Sequence, residues 1–264
     1  MTALGPQGAS VSAERVPGRD VVAAFDLDGT LTRGGSVWQF LSSIRGRPAV
    51  LRAAVALAPK LARAALFGGG AADEAKEALF RRTLAGLDAA DVRAHAEHFG
   101  RAHFDHRSRT KVRARFDWHR RQGHRLVIVS ASPECYVRAV ADELGADGVV
   151  ATRLEVDEHG KLTGRFDGRN CRGAQKLERL REWIQASPPA PYDGEGAHDA
   201  AGGDTGAGAP PAGADDHPFL WAYGNSAGDR ELLAAADIGV DAGRLGRFGK
   251  LRRFRRLADV LTAW

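Results

Sequence analysis

The chain has 264 residues, 44% of them hydrophobic and 27% charged, which is enough apolar material for a substantial core in a soluble globular protein. Two cysteines, Cys135 and Cys171, exclude a disulfide-built scaffold and are too few for a cysteine-built zinc site. The net charge of +5 suggests a polyanion partner, but residues 244–264 hold seven basic groups against Asp259 alone, so the other 243 residues carry −1. With no recognisable nucleic-acid module in that near-neutral body, nucleic-acid binding is not expected.

Residues 1–20 mix Gly, Pro, Ser and charge without the apolar run of a secretory signal, so we expect a disordered tail and a cytoplasmic protein. Val21–Phe25 is a buried-strand candidate. Residues 34–118 then show helical patterning and no good strand, too long for a simple crossover, and we expect an inserted helical cap. Within it, Pro48–Phe67 is rich in Ala, Leu and Val but is interrupted by Arg52, Lys60 and Arg63. It falls short of the roughly 18–20 apolar residues a spanning helix needs. A cap or core helix is expected there, with an interfacial helix as the alternative. His95, His98, His103 and His106 form two H-x-x-H pairs with no accompanying Cys or acid motif, and are expected on a solvated helix face.

Further along, Arg125–Ser130 and Gly148–Thr152 are strand candidates, and Leu154–Phe166 reads as a hairpin turning near His159–Gly160. Helical patterns cover Pro133–Leu144, Gly173–Ala186 and Gly228–Ala236, with two more strands at Phe219–Tyr223 and Asp237–Val240. Residues 187–217 contain no Val, Ile, Leu or Phe and are expected to be a disordered insertion. In the tail, Leu245, Phe248, Leu251, Phe254, Leu257 and Leu261 recur at helical spacing between arginines. That pattern suits a final helix docked on the sheet, or a basic helix of residues 244–264 touching an anionic membrane from inside the cell. The alternation as a whole predicts a Rossmann-like α/β fold. Its parallel sheet has helices on both faces and is built from residues 21–33 and 119–264, with the all-helical cap inserted.

Four signals fall at the carboxyl ends of predicted strands, where open α/β sheets bind ligands. Asp26-Leu27-Asp28-Gly29-Thr30 places two carboxylates and a hydroxyl in one turn, and close carboxylates favour a cation between them. Ser130 ends a very apolar strand and suits an anion, whereas Ser132 fits the cap of the following helix. Lys176, one of six lysines among 38 basic residues, lies in the first turn of a helix. Gly224-Asn225-Ser226-Ala227-Gly228-Asp229 offers oxygen ligands of the kind Mg²⁺ prefers.

Taken in this order, FDLDGTLT, VSAS, Lys176 and YGNSAGDRELL resemble the four motifs of the haloacid dehalogenase (HAD) superfamily of phosphohydrolases. The similarity is greatest to subfamily IB, which includes phosphoserine phosphatases. The resemblance spans roughly residues 21–186 and 217–245 and implies phosphotransfer through an aspartate. Asp26 would attack phosphorus, and Asp28 would serve as acid and then base. Ser130, Lys176 and Thr30 would hold the phosphoryl group, and Mg²⁺ would sit among Asp26, Asp28, Asn225 and Asp229. Asp28 also favours a phosphatase over a dehalogenase or an ATPase of the superfamily.

Two departures matter. The fourth motif usually opens with an acid and here has Asn225, and the ammonium-reading Glu of phosphoserine phosphatases is replaced by Gly35. The expected function is therefore Mg²⁺-dependent hydrolysis of a small-molecule or lipid-linked phosphomonoester other than phosphoserine. The alternatives are a catalytically weak binding protein and a phosphotransferase to an alcohol. Trp38, in a SVWQFL stretch similar to phosphatidylglycerophosphatases of the C type, is the cap residue expected to meet the substrate.

Overall fold

The computed structural model describes residues 20–188, 217–243, 254–257 and 260. Of the segments expected to be disordered, 1–19 and 189–216 lie outside the described residues, as does most of the tail 244–264.

The sheet is built from β1 (Val21–Phe25), β2 (Arg125–Pro133), β3 (Gly148–Thr152), β6 (Phe219–Gly224), β7 (Ile238–Asp241) and β8 (Arg255–Arg256). Among the described residues these form one sheet in the order β3-β2-β1-β6-β7-β8, parallel throughout. β1 occupies the centre, pairing Val22 with Arg125 on one side and Leu220 on the other. Its residues are apolar without alternation because both faces are covered. Ala23 and Phe25 enter one core with Ile128, Tyr223 and Val240, while Val22 and Ala24 enter the other with Val127, Val129 and Ala222.

On the first face lie α6 (Thr110–Arg121) and α7 (Glu134–Leu144), through Val112, Phe116, Tyr136 and Val140. Phe116 meets Phe25 at 5.0 Å between ring centroids, and Tyr223 stacks on Phe25 at 4.3 Å. α8 (Ala174–Ala186) and α9 (Arg230–Ala235) cover the second face with Leu180, Leu232 and Leu233. Glycine closes α7 in a left-handed cap at Gly145, the residue with least penalty there. Of the tail expected to be helical, Arg255–Arg256 pair with β7 as a short edge strand, while Leu257 and Val260 are helical. Leu257 and Val260 are buried beyond it.

Between β1 and α6 run α1 (Val37–Arg45), α2 (Arg47–Ala56), α3 (Ala58–Phe67), α4 (Gly69–Leu84) and α5 (Ala89–Arg107). Prolines at the first turns of α2 and α3, where a missing N–H is harmless, separate the apolar stretch into two helices. Asp88 caps α5 by accepting from the Ala90 and Asp91 amides. The hairpin β4 (Leu154–Val156) and β5 (Leu162–Phe166) packs against α4. A side chain at Gly164 would strike the Arg81 backbone at 2.4 Å. His103 is buried and stacks on Phe99 at 5.3 Å, so the histidines do not all lie on a solvated face. The two chain crossings between sheet and helices bond to each other: Arg33 N donates to Arg107 O at 2.8 Å and Arg109 N to Leu31 O at 2.8 Å.

Candidate active site

β1 ends at Asp26, whose amide donates to Tyr223 O at 2.9 Å, fixing the turn beside the end of β6. Gly29 has φ +83°, and a Cβ there would lie 2.1 Å from the Asn225 amide nitrogen. Only glycine therefore lets the β1 turn and the β6 loop close on each other. β2 keeps going past its regular pairing, with a register shift between Ser130 and Pro133, and the Ser132 amide donates to Ser130 Oγ at 3.1 Å.

A cavity of about 100 Å³ results, lined by Asp26, Asp28, Ser130, Lys176, Asp229 and Arg172 among others. Lys176, at 2% exposure, donates to Asp26 Oδ1 at 2.7 Å and to Asp229 Oδ1 at 2.5 Å. Burial alone would lower the Lys176 pKa, but the two carboxylates hold it above the usual lysine range. Burial, reinforced by the Asp229 charge, raises Asp26 against the pull of Lys176. Burial also acts to raise Asp229, yet Lys176 and the Ser226 donors hold it below the ordinary carboxylate value.

Asp28 accepts at Oδ2 from Ser132 Oγ at 2.5 Å and Ser36 Oγ at 2.8 Å, and Ser36 in turn meets the Tyr136 hydroxyl at 2.7 Å. Its other oxygen, Oδ1, is buried without a protein partner. One carboxylate oxygen is thus clamped by two hydroxyls and the other faces no protein donor.

One terminal atom of the Asn225 amide lies 3.0 Å from the Asp28 carbonyl oxygen, 3.2 Å from Asp26 Oδ2 and 3.3 Å from Thr30 Oγ1. As nitrogen, it donates to those oxygens. As oxygen, it lies 3.2 Å from Asp26 Oδ2 and 3.0 Å from the Asp28 carbonyl, close to the spacing of neighbouring ligands around an octahedral cation held at about 2.1 Å. The donor set of carboxylate, carbonyl and amide therefore fits a hard cation such as Mg²⁺. Asp229 is spent elsewhere: besides Lys176, its Oδ2 accepts from the Asn225 and Ser226 amides and from Ser226 Oγ. Among the described residues there is no cluster of three His, Cys, Asp or Glu side chains arranged for a metal.

The fold thus brings together Asp26, Asp28, Ser130, Lys176, Asn225 and Asp229. Thr30 sits among them but donates to Asp26 Oδ2 at 2.9 Å and is absent from the cavity lining, so it orients the carboxylate. Trp38 does not join them: it is exposed on α1, whereas Ser36 and Phe40 on either side turn inward. Ser132, expected to cap α7, is bound to Asp28, and Pro133 opens that helix without a side-chain cap. Two more residues emerge from the structure. Lys76 on α4 donates to Ala131 O at 2.5 Å and Asn170 Oδ1 at 2.8 Å, and Arg172 donates to Gly69 O at 3.3 Å. No sequence pattern pointed to these ties between α4 and the site loops. Burial lowers the Lys76 pKa to about 8. The two thiols are buried, which pushes Cys135 up to about 12 and Cys171 to about 11, so neither is a ready nucleophile.

Comparison with known proteins bears on the fold and the family. The chain is 33% identical to the protein CicA of Caulobacter vibrioides over 217 residues, covering 82% of this chain and 83% of that protein. A protein of unknown function from Bordetella pertussis Tohama I shares the fold with a TM-score of 0.65 at 20% identity, over 90% of this chain and 98% of that one. A substrate-bound phosphoserine phosphatase does so with a TM-score of 0.57 at 17% identity, over 93% and 99%. The haloacid dehalogenase-like hydrolase family matches residues 23–234, and it is to this family that the chain belongs.

Proposed function

We propose that the protein is a Mg²⁺-dependent phosphomonoesterase of subfamily IB that works through a phosphoaspartate on Asp26. The observation that carries this reading is the division of labour between two adjacent carboxylates. Asp26 is held by Lys176 and Thr30 in the cavity, and Asp28 keeps one buried oxygen without a partner.

A phosphate ester entering the cavity brings its phosphorus to Asp26. The Asp26 oxygen forms the new P–O bond as the bond to the leaving oxygen breaks, and protonated Asp28 gives its Oδ1 proton to that oxygen. Lys176 and Ser130 offset the charge on the remaining phosphoryl oxygens. In the second half, Asp28 takes a proton from water and the resulting hydroxide attacks phosphorus. Asp26 then leaves as carboxylate, and inorganic phosphate is released. Ser36 and Ser132 keep Asp28 in register for both transfers. Asp26, the Asp28 carbonyl and Asn225 would hold Mg²⁺, which supplies charge neutralisation between nucleophile and substrate when bound.

In this reading α1–α5 with the β4–β5 hairpin act as a cap over the cavity and exclude water. Gly35 offers no carboxylate for a substrate ammonium, so a phosphate ester without that group is the favoured class, small or lipid-linked. Asn225 favours the rival reading of a weak binding protein. The decisive measurement is turnover of an aryl phosphate and of a broad phosphate-ester panel with and without Mg²⁺. Metal-dependent release of phosphate is expected, and no turnover on any ester would sink the enzyme reading. Trapping of a phosphorylated chain by rapid acid quench, lost in Asp26→Asn, checks the intermediate.

A further inference from the structure

Residues 37–67, the span of α1, α2 and α3, contain Arg45, Arg47, Arg52, Lys60 and Arg63 and no acidic residue. The same span holds Trp38, Leu51, Val55, Leu66 and Phe67, five of the six large apolar side chains exposed among the described residues. Leu66 and Phe67 are 79% and 76% exposed. α3 buries none of its residues, and α2 buries only Val50. Scattered apolar side chains on a surface need no explanation, but a concentration of them in one cation-only segment does. Leu51 and Val55 stand one turn apart on α2, and Lys60, Arg63 and Phe67 share one stripe of α3.

We propose that α1–α3 form a docking surface for an anionic lipid bilayer. Exposed apolar side chains would enter the boundary between headgroups and acyl chains while the cations meet lipid phosphates. No described helix is long and apolar enough to cross a membrane, so the contact is interfacial. Charge argues against a second copy of the chain, since a symmetric contact would set five cations against five with no acid in the span; Arg63 meets Glu74 of α4 at 3.7 Å, which leaves the surface net positive. Residues 189–216 carry acids but no Val, Ile, Leu, Phe or Trp with which to cover the apolar side chains.

The surface also lies beside the cavity. Phe67 is followed by Gly68 and Gly69, and the Gly69 carbonyl accepts from Arg172, which lines the cavity. The Phe67 and Gly69 Cα atoms are at most about 7.6 Å apart. Resting on the phosphomonoester reading, this placement makes a phosphate ester presented at the bilayer surface the substrate class.

The test is co-sedimentation of full-length protein with vesicles of phosphatidylcholine, alone and mixed with phosphatidylserine. Wild type should bind the mixed vesicles, less so as salt rises. Combined Leu66→Ser and Phe67→Ser should weaken binding by at least about tenfold. Arg52→Glu with Lys60→Glu should remove the preference for anionic lipid, with the unfolding midpoint unchanged in both variants. Arg252→Gln with Arg253→Gln in the tail should leave binding intact. The proposal is overturned if wild type does not bind, if the α3 variant binds equally, if only the tail variant loses binding, or if the surface instead supports a dimer in sedimentation. Aryl phosphate turnover should be the same in the α3 variant and wild type, while hydrolysis of a vesicle-borne phosphate ester falls with binding. If wild type binds vesicles but hydrolyses no ester, docking stands while the substrate assignment and the enzyme reading both fall.

Discussion

The cavity and the α1–α3 surface handle charge in opposite ways. In the cavity the charges are buried: Lys176 sits between Asp26 and Asp229, and nearly every oxygen has an assigned donor. On α1–α3 the cations flank exposed apolar side chains, with Arg63 3.7 Å from Glu74 and Arg45 donating to Thr83 O at 2.6 Å. A buried charge is tolerable only when paired, so the first region is specified atom by atom. The second costs the fold little and is free to be shaped by what it touches.

Substitutions should separate the two regions sharply. The largest effect belongs to Asp26→Asn, which should lower turnover of an aryl phosphate by on the order of 10⁴-fold or more. Residual metal-dependent activity near wild type would show that another group attacks phosphorus. Lys176→Met strands two buried carboxylates and should cost about 3–5 kcal/mol in denaturant unfolding. A loss below about 1 kcal/mol would mean that the triad is not a structural unit.

Buried histidine offers a pH test of the same contrast. Burial, with nearby Arg115 and His124, holds His119 down at about 2, against an ordinary value of 6.5. The unfolded chain therefore binds the extra proton first, and stability falls as pH drops below about 6.5. Between pH 7 and pH 5 the loss from this group should be about 2 kcal/mol, measured by chemical denaturation. It should shrink in His119→Gln and persist in a variant of exposed His98; equal losses in all three would refute the assignment. Ser132→Ala removes one of the two donors to Asp28 Oδ2 and should lower kcat about tenfold, or about 1.4 kcal/mol, with little change in KM. An unchanged kcat would leave Ser36 as the sole effective clamp. At the small end, Leu66→Ser should alter unfolding by no more than about 0.5 kcal/mol. A larger effect would mean that α3 packs more than its exposure indicates.

Much of this was legible in the chain. β1 and β3 have the ends read from Val21–Phe25 and Gly148–Thr152, because short apolar runs between turn residues have no other use in a doubly covered sheet. The hairpin turns where His159–Gly160 placed it. Asp26, Asp28, Ser130, Lys176, Asn225 and Asp229 converge because each sits at the same end of a parallel sheet, and that periodicity is local. What sequence did not reveal is the cross-chain pairing. Ser132 could be read as a helix cap until the β2 register shift turned it toward Asp28. Thr30 seemed free for phosphate until its hydroxyl was found on Asp26. Lys76 and Arg172 lie on elements whose approach to the site depends on how α4 packs, which no spacing along the chain encodes. The apolar tail spacing suggested a helix, and Leu257 and Val260 are helical and buried, but it did not show that Arg255–Arg256 just before them pair with the sheet edge beside β7.

The paired crossings at residues 31–33 and 107–109 give the molecule a mechanical property. Arg109 Nη1 also donates to Gly29 O at 2.5 Å and Ala242 O at 2.6 Å, joining the crossing to the turn after Asp28 and to the end of β7. Two crossings so joined form a single connection between α1–α5 and the sheet, so a load on one is shared by the other. Gly34, at φ +75° just beyond it, takes a left-handed backbone conformation that favours glycine. One guanidinium, that of Arg109, thus ties this connection to the turn after Asp28 and to the end of β7.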